Sequence, residues 1–546
     1  MAGYRRNAGI ALVALLLAAG GGFAQERAEV QGMHAAVVAD HPLAAAAGAD
    51  VLRRGGNAVD AAITMAAVLA VVRPHMSGIG GDAFLLIREG RSGRVHALNG
   101  SGRAGESATA AEFQARGITT MPQSGVLSVT VPGAVRAWAD ALRRHGTISL
   151  DSALAPAIRY AIDGFPVSEK LAADIAASRT LLAADSALAA VFLPGGAPPV
   201  PGAILRQPEL GRSLQLIARD GADVLYTGEL ARTIGAFMTK ERGLLDVGDL
   251  AQHSSTWQQP ISTTYAGYRV LAFPPNTQGM ALLLQMNMAE LFDLRAMGHN
   301  SADYVHTLVE LKRLAFAERD RYITDPTFAD IPLDTLLSKG FARDLAARRA
   351  QHSAGAAADG GGDTVFACVV DAQGTAVALS QSLYHSFGSG RMVPGTGIVL
   401  HNRGALFSLD TQHVNVIAPR KRTYHTLAPA MALYPDNSLF LVFGTPGADG
   451  QTQTQLQVFN NIVLFGMTPQ RAVEAARWRS YDDGVLQLED GIVAAVQARL
   501  TALGHRLQVV AGRGAELGGA QVILVSPSGA RATGADPRRE AYGIAW

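Results

Sequence analysis

Apolar and polar positions follow two rhythms along this chain, one of helical period and one of unbroken short runs. Residues 43–54 are small and apolar at helical spacing and stop at Gly55-Gly56, which predicts a helix ended by a glycine pair. Asn57 precedes an all-round apolar stretch, residues 58–72, so a second, largely buried helix capped by the Asn57 side chain is expected. Residues 133–145, 281–293 and 303–317 carry the same spacing. Residues 364–370, TVFACVV, instead form a continuous run rich in β-branched side chains, the pattern of a strand buried on both faces. Asp371-Ala372-Gln373-Gly374 has turn composition and residues 376–382 resume a strand pattern, predicting an antiparallel hairpin. With Val370 opposite Thr375, the register sets Thr364 opposite Gln381 and leaves Ser382 as a close neighbour. Residues 439–443 read as a strand, GTPGADG as a turn, and the chain from Gln451 as a helix. Helices alternate with strands and no internal repeat is found, so the class is α/β or α+β.

Composition supports one large folded body: of 546 residues, 48% are hydrophobic and 17% charged, enough for a sizeable core and too apolar for a disordered chain. Two segments depart from it. Arg5 and Arg6, an apolar run over residues 10–20, and small Gly22 and Ala24 before Gln25 read as a Sec-type signal peptide, residues 1–24, which predicts a periplasmic or secreted protein. The run is shorter than the about 18 residues a membrane span needs, so no membrane association is expected after its removal. The residues after Arg5-Arg6 do not favour the twin-arginine route. Residues 352–363, HSAGAAADGGGD, have almost no apolar bulk and read as an exposed linker ending at Asp363-Thr364.

Loss of residues 1–24 removes Arg5, Arg6 and no acid, taking the formal charge from +1 to −1. That balance argues against a nucleic-acid partner. The single cysteine, Cys368, forbids an internal disulfide and reads as a small buried apolar residue. No Cys or His pair has zinc-site spacing and no calcium loop occurs, so neither metal nor cofactor is expected.

A disposable linker running into a threonine at the head of a buried strand is what an N-terminal nucleophile requires. Cleavage exposes an α-amine with a pKa of about 7.7 to 8.0, which near neutrality takes the proton from the threonine's own hydroxyl. By itself the pattern also fits a plain loop before an ordinary strand. The GTPGADG turn is similarly open: it is either an oxyanion-binding turn of inward N–H groups or a simple strand-to-helix loop, and the missing GK[ST] excludes a P-loop. GIGGDA at residues 78–83 looks like a dinucleotide-binding turn, but it precedes an apolar strand run instead of following one. No GxSxG elbow supports a serine hydrolase.

DTVFACVVD (363–371), ALSQSLYHSFGSG (378–390) and FGTPGADGQ (443–451) together resemble the γ-glutamyltransferase (glutathione hydrolase) family. RGGNAVDAA (54–62), MSGIGGDAFLLI (76–87), VPGAVRAW (131–138), PPNTQG (274–279) and GADPRR (534–539) agree in order, from about residue 33 to 540. The resemblance implies a four-layer αββα N-terminal nucleophile hydrolase of class α+β, made as one precursor. Autocleavage between Asp363 and Thr364 would yield a large subunit, residues 25–363, and a small subunit, residues 364–546, which stay associated. The family's nucleophile maps onto Thr364 and its supporting hydroxyl onto Ser382. Its oxyanion donors map onto Gly447 and Ala448, where alanine serves provided the backbone takes no positive φ.

The substrate side departs from the family. Its carboxylate-gripping Arg falls on Ser101 and its amine-gripping Asp on Leu406, while its substrate-holding Asn maps onto Tyr384 and its Ser-Ser pair onto His425 and Thr426. Arg103 and Arg403 remain as cations able to bind a carboxylate. The resemblance implies cleavage of γ-glutamyl-type amides such as glutathione through a threonine acyl-enzyme. The departures point instead to an acylase of glutaryl- or oxamate-type amides, and a non-catalytic periplasmic binding protein on the same fold is the third reading. His41, His75 and His385 are expected to be structural or site-lining.

Overall fold

The computed structural model describes residues 27–348 and 362–546. The proposed signal peptide and most of the proposed linker lie outside them.

Two seven-stranded antiparallel sheets stack face to face. One runs in the order Tyr542–Ala545, Ala36–Ala39, Asp363–Val370, Ala376–Tyr384, Asp82–Arg88, Val95–Gly100, Thr256–Gln258. The other runs Val30–Gly32, Arg531–Ala535, Gln521–Val525, Leu439–Gly444, Ala430–Leu433, Tyr268–Ala272, Ile261–Tyr265. Helices Pro42–Arg53, Ala58–Val72 and Ala134–His145 pack on the outer face of the first sheet, and Gly279–Ala289, Ala302–Tyr322 and Gly450–Val463 on that of the second. The result is the four-layer αββα arrangement, and strands from both sides of residue 363 stand in the first sheet.

Period-2 alternation sorts the side chains of the central strand between two cores. Phe366, Cys368 and Val370 fill the layer between the sheets with Phe84, Phe273, Met431 and Val442, whereas Val365, Ala367 and Val369 join the helix-side core. Thr364 shares the parity of Phe366, and Ser382 that of Ala376 and Ala378, so both lie on the inter-sheet face. Gly444, at the end of its strand, is where Phe366 comes closest to the facing sheet: a Cβ there would lie 2.2 Å from the ring. Cys368 is fully buried, and that burial pushes its thiol well above the usual range.

The helix over Ala58–Val72 has the expected cap: Asn57 Oδ1 accepts from the N–H groups of Val59 and Asp60 at 2.9 and 3.1 Å, and Asp60 returns a contact to the Asn57 N–H at 2.8 Å. Such a cap contributes about 1 kcal/mol. The helix predicted over residues 281–293 is shorter, ending at Ala289, and that over 303–317 is longer, reaching Tyr322. The hairpin register also differs by one residue. Val370 pairs with Ala376 and Val365 with Gln381, because Asp371 Oδ1 accepts from the N–H groups of Gln373 and Thr375 at 2.9 Å and widens the turn.

Candidate active site

The register breaks where the linker meets the strand. Asp363 pairs with Tyr384 and Val365 with Gln381, so Ser382 and Leu383 together oppose Thr364 across a bulge. Bulges re-aim side chains and recur beside active sites. Here the bulge brings the Ser382 hydroxyl to the peptide bond preceding Thr364: Ser382 Oγ donates to the Asp363 carbonyl at 2.6 Å and accepts from the Tyr384 N–H at 2.7 Å. Thr364 itself is 2% exposed. Gln381 anchors this stretch from the other face, accepting from Trp138 Nε1 at 2.8 Å and donating to Ser77 Oγ at 2.6 Å.

A buried charge network backs Ser382. Asp82 is its cross-strand partner and is fully buried. Asp82 Oδ1 accepts from the Gly102 N–H at 3.0 Å, and Oδ2 lies 3.1 Å from His425 Nε2, 3.3 Å from His401 Nδ1 and 3.8 Å from Arg403 Nε. Burial alone would push this carboxyl up, but His401 and His425 more than offset it and hold it well below the usual carboxylate range. His425 Nδ1 accepts from the Leu427 N–H at 3.2 Å, which leaves the proton on Nε2 facing Asp82. Burial, reinforced by Arg403, pushes the His425 imidazole down to about 3, so it is neutral near pH 7.

Arg403 connects this network to the hydroxyls. It donates to Thr426 Oγ1 and to Ser382 Oγ, each at 3.2 Å, and its guanidinium lies 4.4 Å from the Tyr384 ring centroid. Burial pushes it down to about 10, against the pull of Asp82, and it remains cationic at neutral pH.

Gly447 and Ala448 occupy the turn between the Leu439–Gly444 strand and the Gly450–Val463 helix. Gln278 Nε2 holds this turn, donating to the carbonyls of Ala448 at 2.9 Å and Thr426 at 2.6 Å. Ala448 has φ +46°, beside Gly447 at +122°. The condition that alanine needs no positive φ there is therefore not met, and Ala448 carries a left-handed backbone at a cost of about 1 kcal/mol. The chain ahead of Thr364 crosses this turn: a Cβ on Gly362 would come within 2.7 Å of the Ala448 Cβ and 3.4 Å of Tyr384 Cε2. Asp363 then sends its carboxylate the other way, with Oδ1 3.2 Å from Arg539 Nη1.

Of the residues singled out in the sequence, Asp363, Thr364, Ser382, Tyr384, Arg403, His425 and Thr426 are joined by these contacts, and Gly362 brings the Gly447-Ala448 turn to them. Ser101 borders the network without entering it: it is buried, its hydroxyl donates to Asn99 Oδ1 at 2.7 Å, and it is the following N–H, of Gly102, that reaches Asp82. Arg103 lines a separate cavity of about 220 Å³ with Val131, Asp249, His253 and Arg420. His41 caps the Pro42–Arg53 helix, His75 lies 3.0 Å from Asp174, and His385 stacks on Tyr384. Sequence reasoning missed Asp82, His401 and Arg539. A charged residue opening an apolar strand run was the available signal for Asp82.

At the opposite end of the Asp82–Arg88 strand, Glu89, His96 and His145 place one ligand atom each within 4.8 Å of one another, a donor set able to hold a metal. Glu89 there is already engaged by His96 Nε2 at 2.9 Å. Among the described residues no helix is long and apolar enough to cross a membrane.

The family profile described as Gamma-glutamyltranspeptidase matches residues 44–546. The chain is 40% identical to the glutathione hydrolase-like YwrD proenzyme of Bacillus subtilis, over 93% of this chain and 98% of that protein. It is 36% identical to the oxamate amidohydrolase proenzyme of Klebsiella pneumoniae, over 92% and 97% respectively. Among solved structures it superposes on the cephalosporin acylase of Bacillus halodurans with a TM-score of 0.90 and 37% identity, covering 96% of this chain and 98% of that one.

Proposed function

The chain belongs to the γ-glutamyltranspeptidase family of N-terminal nucleophile hydrolases, and on that premise we propose that it cuts its own Asp363–Thr364 bond and then hydrolyses carboxyacyl amides through Thr364. The observation that carries this reading is the 2.6 Å hydrogen bond from Ser382 to the Asp363 carbonyl. It polarises the carbonyl next to the threonine whose hydroxyl is to attack it. In the precursor, Thr364 Oγ adds to the Asp363 carbonyl carbon, and the Ser382 O–H, polarised by Arg403 at 3.2 Å, stabilises the oxyanion. On collapse the hydroxyl's proton passes to the departing nitrogen, the C–N bond breaks, and Asp363 is left as an ester on Thr364 Oγ beside a free Thr364 amine; water hydrolyses the ester to give two chains.

The exposed Thr364 amine then serves as the base for its own hydroxyl. An incoming amide is attacked, the N–H groups of Gly447 and Ala448 receive the oxyanion, the amine leaves, and water releases the acyl group. Export through residues 1–24 into the periplasm or the medium, and lasting association of residues 25–363 with 364–546, belong to the same proposal.

The charge inventory favours an acyl group that carries a carboxylate and no amine, of glutaryl or oxamate type. Arg403 and Arg539 supply positive charge around Ser382 and Asp363, Asp82 is taken up by two imidazoles, and Leu406 offers no acceptor for an ammonium. The likeness to the Bacillus glutathione hydrolase-like proenzyme favours γ-glutamyl amides as the second reading. Acid-quenching the turnover of glutaryl p-nitroanilide and mapping the acylated peptide tests the mechanism. The acyl group is expected on Thr364; an adduct on Ser382, or no turnover of any amide, contradicts it. Equal kcat/KM for γ-glutamyl and glutaryl anilides supports the second reading.

A further inference from the structure

The residue ahead of the scissile bond is itself an acyl group seated in the site. Its carbonyl is the one that Thr364 attacks on the reading above, and its side-chain carboxylate follows through Cα and Cβ, the spacing of a succinyl group. That carboxylate is received by Arg539, whose Nη1 lies 3.2 Å away and whose side chain is 8% exposed. Met76 Sδ, at 3.5 Å, also touches Nη1, and Arg539 Nε has no hydrogen-bond partner among the described residues.

The other acids around Arg539 have partners of their own. Glu540 pairs with Arg73, Asp174 lies 3.0 Å from His75 Nε2, and Asp40, whose carboxyl burial pushes up to about 7, accepts from Gln521 Nε2 at 3.1 Å. The neighbouring Arg538 is likewise committed, to Glu489 at 2.6 Å and Asp536 at 3.1 Å. Cleavage before Thr364 frees Asp363 to leave, and Arg539 is then a buried guanidinium that has lost its carboxylate. Asp40 and Asp174 then act on its charge only from a distance, and a buried charge that has lost its contacting partner is unfavourable, so the position selects for an anion.

We propose that Arg539 is the acyl-carboxylate receptor of the mature enzyme, and that its substrates are amides of four- and five-carbon dicarboxylic acids, with succinyl spacing as the template. This rests on the reading above that the Asp363–Thr364 bond is cut and Thr364 becomes the nucleophile. Arg403 is the weaker candidate because it keeps its counter-charge, Asp82, 3.8 Å from its Nε, and Thr426, Ser382 and the Tyr384 ring take the rest of its guanidinium.

The test uses the matured two-chain protein with succinyl, glutaryl and butyryl p-nitroanilides. The wild type is expected to favour the two carboxylates over butyryl by about 100-fold in kcat/KM, and Arg539→Leu to bring that ratio down to about one, with the loss falling on the succinyl and glutaryl substrates. Arg539→Lys should keep part of the preference. If Arg539→Leu does not mature, the double variant Asp363→Leu/Arg539→Leu replaces the ion pair with an apolar pair and is assayed in the same way. A crystal of the matured wild type soaked with glutarate locates the bound carboxylate without recourse to any variant. A carboxylate on Arg539 supports the assignment; a carboxylate on Arg403 or Arg103, or none on Arg539, overturns it, as does a matured Arg539→Leu enzyme that still prefers succinyl. A chain that never cuts sinks the parent reading instead, whereas a cut chain with the preference intact in Arg539→Leu sinks only this one.

Discussion

Ser382 Oγ lies 2.6 Å from the Asp363 carbonyl oxygen while accepting from the Tyr384 N–H at 2.7 Å and from Arg403 Nη2 at 3.2 Å. Two donors on its lone pairs leave its own proton directed at the scissile carbonyl. Ser382→Ala removes that donor, and self-cleavage should slow by about 100-fold, the cost of losing one oxyanion contact. Thr restores the hydroxyl, so Ser382→Thr should recover most of the rate. Densitometry of precursor and product chains over time after synthesis reads both.

Ala448 offers an opposite case, in which a change should help stability and spare function. With φ +46° it occupies the left-handed region, and Ala448→Gly relieves that strain while keeping the N–H. Denaturant melting should show a gain of about 1 kcal/mol, with kcat/KM unchanged within about twofold. Ala448→Val, β-branched at the same φ, should lose both stability and turnover.

Asp82 compensates Arg403 and orients two imidazoles in a fully buried setting. Asp82→Asn leaves Arg403 without a counter-charge and should cost about 3–5 kcal/mol, the penalty for breaking a buried pair from one side. Chemical denaturation of the Thr364→Ala precursor with and without Asp82→Asn measures it without interference from cleavage.

The pH dependence of that precursor follows from its buried histidines. Burial lowers His425 and His253 from 6.5 to about 3, and His41 and His385 to about 4. A folded value below the unfolded one means the unfolded chain takes up protons first, so the stability these groups contribute above pH 6.5 is lost as pH falls below it. At pH 5 each has lost about 2 kcal/mol, at roughly 1.4 kcal/mol per pH unit. Asp40, raised to about 7, runs the other way, since its contribution is present at low pH and is lost as pH rises through 7, and it offsets about one histidine. The denaturation midpoint should therefore fall between pH 7 and pH 5.

Local pattern exposed much of this architecture. The apolar run ahead of Cys368 announced the central strand, the Asn57 cap was readable from one residue, and the hairpin placed Ser382 beside Thr364 even with its register one residue out. That slip came from Asp371, whose side chain orders an extra turn residue that no hydrophobic period reports. Helix ends erred for a related reason, since Ala302–Tyr322 continues through Arg319, whose pairing with Asp449 at 2.8 Å joins residues 130 positions apart. The charge network was less legible still. Asp82, the His401–Arg403 segment and His425 lie far apart in the chain, and Arg539 reaches Asp363 across 176 positions. Such partners are chosen by the stacked sheets and not by spacing along the chain.

The most direct test of the account is intact mass spectrometry of the purified protein and of Thr364→Ala, with the N-terminus of each chain read. The wild type should give two chains, the second beginning at Thr364, and Thr364→Ala should remain one uncut chain. A wild type that stays whole, or a Thr364→Ala variant still cut after Asp363, would contradict the assignment of Thr364 as the nucleophile.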